Sequence, residues 1–194
     1  MFSAAVRSAV AALALITGVA DANSIVVTVR SLPSPSDSVD PLAEAIAKGH
    51  AAGLKVYASF NVALAVPSAE LPSAREHVIF RHPEWLMVPR TLAEDLVSVD
   101  PHSPEYLGRL ARYARARPDT VEGLYLSPAT PSAVAYMVGV VTSLVSQYAV
   151  DGVRLDAVRY PDGFDYDPGR LAALVAALGD AVKAIRPAAV VLSQ

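Results

Sequence analysis

Val150-Asp151-Gly152-Val153-Arg154-Leu155-Asp156-Ala157-Val158-Arg159-Tyr160-Pro161 is a short apolar run with a carboxylate near its end, then a base, an aromatic ring and a proline. In a parallel sheet, function gathers at the carboxyl ends of the strands. A carboxylate buried there is expensive unless it is paired, so packing alone does not call for one. Asp156 is therefore the leading catalytic candidate. Asp151, ahead of Gly152 at the start of the strand, reads as the cap of a turn.

Working outward, strand and helix signals alternate. Ile25-Val26-Val27-Thr28-Val29 is β-branched and almost wholly apolar, as a strand buried on both faces should be. Asp40-Pro41 pairs a side-chain acceptor with a proline and starts a helix that stops near Gly53. Leu54 to Phe60 reads as the second strand. Residues 62–100 read as a long irregular, proline-containing insertion, of a length that is usually functional. Ser103-Pro104, Thr130-Pro131 and Asp167-Pro168 repeat the helix-start device. Gly123-Leu124-Tyr125-Leu126 is a third strand, the opening stretch the fourth, and Ala189 to Leu192 begins a fifth. Val134, Met137, Val138, Val141, Leu144, Val145 and Tyr148 form one helical stripe; Leu171, Leu174, Val175, Leu178, Val182 and Ile185 form another.

The 194 residues suffice for one domain with a sizeable core. Hydrophobic residues make up 53% and charged residues 18%, which fits strands covered on both sides or a piece of a larger core. The net charge of −3, with no basic run, points away from nucleic acid and anionic membranes. The absence of cysteine excludes disulfides, thiolate catalysis and cysteine-held metals. Met1 to Ala22 has the apolar run and Ala20-Asp21-Ala22 ending of a secretory signal. It reads equally as a helix before the first strand, the preferred reading because cleavage would leave almost no spacer. Its apolar run is shorter than the roughly 20 residues that span a bilayer, so no membrane span is expected.

The alternation argues for a parallel sheet with helices outside it. No glycine-rich turn follows the first strand, so the phosphate cradle of a dinucleotide fold is missing. Each strand instead leads into polar residues: Arg30, Asn61, Ser127, Asp156 with Arg159, and Ser193-Gln194. Such points converge on one mouth in a TIM-type (β/α)8 barrel, of which about the first five β/α units are expected here, in sequential order over residues 23–194.

Five stretches, in order, give the chain a resemblance to a known family. They are Thr28-Val29-Arg30, Gly49 to Asn61 (GHAAGLKVYASFN), His82-Pro83-Glu84-Trp85-Leu86, Gly123 to Pro131 (GLYLSPATP) and Asp151 to Pro161. Together they make it similar to the glycosyl hydrolase-like family 10 proteins, also called family 10 glycosylhydrolase or YngK-like, which differ from the family 10 xylanases. The resemblance implies the catalytic barrel and hydrolysis of a polysaccharide, with peptidoglycan-type glycan strands one substrate within the family. Many members carry a second acidic residue after the motif's aspartate, where this sequence has Ala157. Because the chain stops at the fifth strand, it reads as a fragment, inactive by itself. An extracytoplasmic location is the expectation for the full-length protein, with the cytoplasm left open.

Glycoside hydrolysis normally needs two carboxyl groups flanking the bond. Asp156, fixed on a strand end, suits the one that stabilises or attacks the anomeric carbon, with Arg159 nearby to keep it ionised. The structural alternative is that Asp156 simply pairs with an arginine such as Arg30 or Arg159. No convincing general acid is visible. Glu84 sits in the long insertion, Asp162-Gly163 reads as a turn and Asp167 as a helix cap, so the acid is expected outside this chain. Trp85, the sole tryptophan, offers a face to stack on a sugar ring or a pin for the insertion. Arg30, Asn61, Arg159 and Tyr160 are placed to hydrogen-bond sugar hydroxyls, or to form a buried polar network. His50 and His82 read as structural. The four histidines lack metal-ligand spacing, so neither metal nor cofactor is expected. A non-catalytic carbohydrate-binding barrel is the alternative function; a phosphate-binding barrel enzyme is a third.

Overall fold

A computed structural model describes residues 16–18, 24–28, 40–61, 63–67, 71–156 and 158–193. The strands are β1 (Ile16–Gly18), β2 (Ser24–Thr28), β3 (Lys55–Asn61), β4 (Leu64–Pro67), β5 (Gly123–Tyr125), β6 (Gly152–Asp156) and β7 (Val190–Ser193). The helices are α1 (Pro41–Ala51), α2 (Val78–Arg81), α3 (Arg90–Leu96), α4 (Pro104–Arg115), α5 (Pro131–Gln147) and α6 (Pro168–Ile185), with a 3-10 turn at Pro83–Trp85. Two compact units result. The first draws on the ranges 1–61, 138–157 and 177–194, the second on 62–137 and 158–176.

The first unit holds a five-stranded sheet in the order β1-β2-β3-β6-β7. Pairs β2–β3, β3–β6 and β6–β7 are parallel, and β1 lies antiparallel on the outer edge of β2. Side chains alternate between the faces of a strand, and the register carries that alternation across the sheet. Ile25, Val56, Ala58, Phe60, Val153 and Leu155 share one face and are buried. This is the helix side: a Cβ at Gly49 of α1 would lie 2.5 Å from Val56 Cγ2, so only glycine lets the helix settle this close. The opposite face carries Tyr57, Ser59 and Asn61 beside Gly152, Arg154 and Asp156. The apolar stripes of α5 and α6 supply Val141, Leu144, Val145, Leu178 and Val182 to the core. Ile185, expected to face inward, is 41% exposed at the end of α6.

Asp151, expected as a turn cap, has a longer reach. Its Oδ2 accepts the Val56 amide at 2.8 Å and lies 2.8 Å from His50 Nε2, tying the entrance of β6 to β3 and α1. Burial pushes its carboxyl pKa upward. The Val56 and His50 hydrogen bonds, with the charges of His50 and Lys55, outweigh this and leave it below its usual value.

The second unit pairs β4 and β5 antiparallel, with Leu86 bridging to Leu126 beyond them. Helix α4 buries Tyr106, Leu107, Leu110, Ala111, Tyr113 and Ala114. Two expectations are corrected here. The strand at 123–126 does not join the parallel sheet as its third member, so that sheet has four parallel strands and β3 neighbours β6 directly. The described part of residues 62–100 is not irregular: it contains β4, α2, the 3-10 turn and α3. All four acceptor-proline signals do start helices, at Pro41, Pro104, Pro131 and Pro168. Within residues 1–22, expected as a helix or a signal, Ile16–Gly18 is a strand, and the remainder lies outside the described residues.

Candidate active site

Asp156 ends β6 on the polar face of the sheet. The Ser59 hydroxyl, one strand away on β3, donates to its Oδ2. Arg154, two residues earlier and so on the same face, brings Nε to 2.8 Å from Oδ1. The N–H of Arg154 is not aligned for a hydrogen bond, and Oδ1, shielded from solvent, has no other partner among the described residues. The carboxylate is therefore compensated in charge but keeps a lone pair unused. Ser59 is fully buried, whereas the Asp156 side chain retains 31% exposure. Asn61 is in register with Asp156 on the neighbouring strand, at the same carboxyl end. Asp156 is the one carboxylate in the described strands of this sheet.

Among the described residues the cation at Asp156 is Arg154, where the sequence pointed to Arg159 or to Arg30. Arg159 forms an ion pair with Glu122, Nη2 to Oε1 at 3.0 Å. Glu122 also accepts from the Tyr125 hydroxyl at 3.3 Å. Burial and the Glu122 charge push the Tyr125 pKa up to about 12. Arg30 and Ala157 lie outside the described residues.

Trp85 and Tyr160 each sit among other aromatic groups in the second unit. The His82 ring stacks on Trp85 at 3.8 Å with planes 6° apart, and Tyr136 lies 6.0 Å from it on the tilt. Glu84 lies between two histidines, 3.3 Å from His82 Nδ1 and 3.7 Å from His102 Nε2. Tyr160 meets Tyr166 edge to face at 5.6 Å. Burial, then the charge of Asp167, raises the Tyr160 pKa. Sequence reading missed Ser59, Arg154, Glu122, Tyr136 and Tyr166. For Ser59 and Arg154 a signal existed: each stands two residues before a nominated residue on one strand, and so shares its face. Among the described residues no cluster of three or more histidine, aspartate or glutamate side chains could hold a metal, and no helix is long and apolar enough to cross a membrane.

No family model matches the chain, and no curated protein matches it. Several solved structures are similar to it. The α-L-fucosidase isoenzyme 2 of Paenibacillus thiaminolyticus shares 19% identity over 84% of this chain and 24% of its own, with a TM-score of 0.47. The α-galactosidase of Thermus thermophilus shares 16% identity over 78% of this chain and 26% of its own, also at 0.47. The debranching enzyme of Nostoc punctiforme shares 16% identity over 89% of this chain and 35% of its own, at 0.49. The chain therefore spans about a quarter of the fucosidase and the galactosidase and about a third of the debranching enzyme.

Proposed function

We propose that this chain carries part of a glycoside hydrolase site on a barrel-type sheet, acting on a polysaccharide, with Asp156 as the carboxylate that stabilises or attacks the anomeric carbon. The observation that carries this reading is the position of Asp156. It ends a parallel strand on the polar face, held by Ser59 and Arg154 and still part-exposed. A carboxyl group fixed at a strand end and still reachable from solvent can face the anomeric carbon of a bound sugar. Asn61 at the same strand end is suited to hydrogen-bond a sugar hydroxyl. Trp85, Tyr160 and Arg159 of the second unit are proposed by themselves as sugar contacts, Arg30 is proposed from the sequence, and the four parallel strands with helices between them are how a (β/α)8 barrel begins.

The hydrolysis chemistry requires a second carboxyl group as acid, and the described strands of the sheet supply none besides Asp156. The Asp156–Arg154 pair also suits a carbohydrate-binding protein in which Asp156 is structural. Asp156→Asn in the full-length protein separates the two. Loss of hydrolysis by orders of magnitude, with binding of the intact glycan little changed, fits the enzyme, because the group acts in the transition state. Unchanged hydrolysis removes Asp156 from the chemistry and favours the binding reading.

A further inference from the structure

Tyr166 is 72% exposed, and the loop that presents it is anchored on both sides of the ring. Within residues 158–167, Phe164 is buried and meets Tyr113 edge to face at 6.1 Å. The Gly163 carbonyl accepts the Arg90 amide at 2.9 Å. Gly163 has φ +87°, and a Cβ there would lie 2.3 Å from the Tyr113 hydroxyl, so the loop lies directly on α4. On the far side of Tyr166, Asp167 caps α6 through the Arg170 amide at 3.0 Å and pairs with the Arg170 guanidinium at 3.2 Å. A tyrosine left in water gains nothing from burial, yet here both flanks of the loop are fixed. Its ring meets that of Tyr160 edge to face at 5.6 Å and still keeps most of its surface in solvent. An aromatic face held rigidly in water binds a flat apolar surface that also carries hydroxyls at little entropic cost. The apolar face of a pyranose ring is such a surface.

We propose that Tyr166, braced by Tyr160, is a sugar-stacking residue that grips one ring of a multi-unit glycan. This rests on the glycan reading above and deepens it. The ligand class is a chain of several sugars, because the same unit holds a second aromatic group, Trp85 stacked by His82 with the half-exposed Tyr136 tilted beside it. A small glycoside would not need two.

The test is binding of the full chain to soluble hexasaccharides of cello, chito, xylo and malto type and to solubilised peptidoglycan glycan strands, by titration calorimetry. With the glycan that wild type binds, Tyr166→Ala is expected to weaken affinity about three- to tenfold. Tyr166→Phe, which keeps the ring, restores it, and thermal unfolding of the alanine variant matches wild type. Wild-type affinity in Tyr166→Ala, with binding lost in Trp85→Ala, overturns the role of Tyr166 and leaves the glycan reading standing. If wild type binds none of these glycans, both fall together.

Discussion

Arg154 and Asp156 stand two residues apart on β6, with Nε 2.8 Å from Oδ1, and the hydroxyl of Ser59 completes the group from β3. Three polar side chains thus support one another on a sheet whose other face carries Ile25, Val56, Ala58, Phe60, Val153 and Leu155. Removing one member strands the others. Arg154→Met is expected to cost about 1–3 kcal/mol by leaving a shielded carboxylate uncompensated, and Ser59→Ala about 1–2 kcal/mol. Denaturant unfolding of Arg154→Met, Asp156→Asn and the double variant measures the coupling. It should reach about 1 kcal/mol or more. Additive losses would show that the pair is not coupled.

Asp151 gives the acid limb of stability a recognisable contribution. Its folded pKa lies below the ordinary 3.8, since the Val56 amide, His50 and Lys55 outweigh burial. A carboxyl depressed on folding adds stability above its unfolded pKa, and that stability is lost as pH falls through the folded value. Wild type should therefore exceed Asp151→Asn in stability at neutral pH, with the gap closing below about pH 4. Parallel urea melts from pH 3 to pH 7 follow this. A gap that stays constant across the range would contradict the pairing.

Tyrosines act at the other extreme. Tyr148 is buried and donates to Asp40 Oδ2 at 2.7 Å. Burial, that hydrogen bond and the Asp40 charge push its pKa up to about 12. A group raised on folding contributes stability that is full below its unfolded value near 10 and is lost as pH rises toward 12. Ultraviolet titration should show Tyr125 and Tyr148 ionising late among the 8 tyrosines. Tyr148→Phe should remove one late step.

Gly163→Ala tests the loop anchor. The positive φ and the close Tyr113 hydroxyl together predict a loss of about 1–3 kcal/mol. Because the strain sits in the loop, glycan binding should weaken with it. Wild-type stability in this variant would show that the loop is free to yield.

Much of this was legible in the sequence because local chemistry forced it. An acceptor followed by proline starts the helices at Pro41, Pro104, Pro131 and Pro168, and β-branched runs such as Ile25–Val27 have few alternatives to a strand. The placement of Gly123–Tyr125 was not legible. A three-residue apolar strand has no alternation from which to read a partner, and that partner, Leu64–Pro67, ends in a proline that reads as loop. The nature of the counter-ion to Asp156 was readable, but its identity was misjudged by sequence proximity to Arg159. Strand parity, which puts residues 154 and 156 on one face, decides it. Tyr166 carries no periodic or motif signal, since its exposure depends on Phe164 and Gly163 anchoring the loop around it.

The β3–β6 pairing has a consequence for how the chain is made. Val56 and Asp151 are 95 positions apart, yet they are joined directly. At ribosomal rates of about 5–20 residues per second, β3 emerges roughly 5–20 s before its neighbour exists. During that interval its backbone edge has no native partner on this side, and closing so long a loop is entropically slow. The nascent chain is therefore most exposed to aggregation between the synthesis of residue 61 and that of residue 156. Translation pauses or chaperone engagement within that window are expected to change the yield of folded protein.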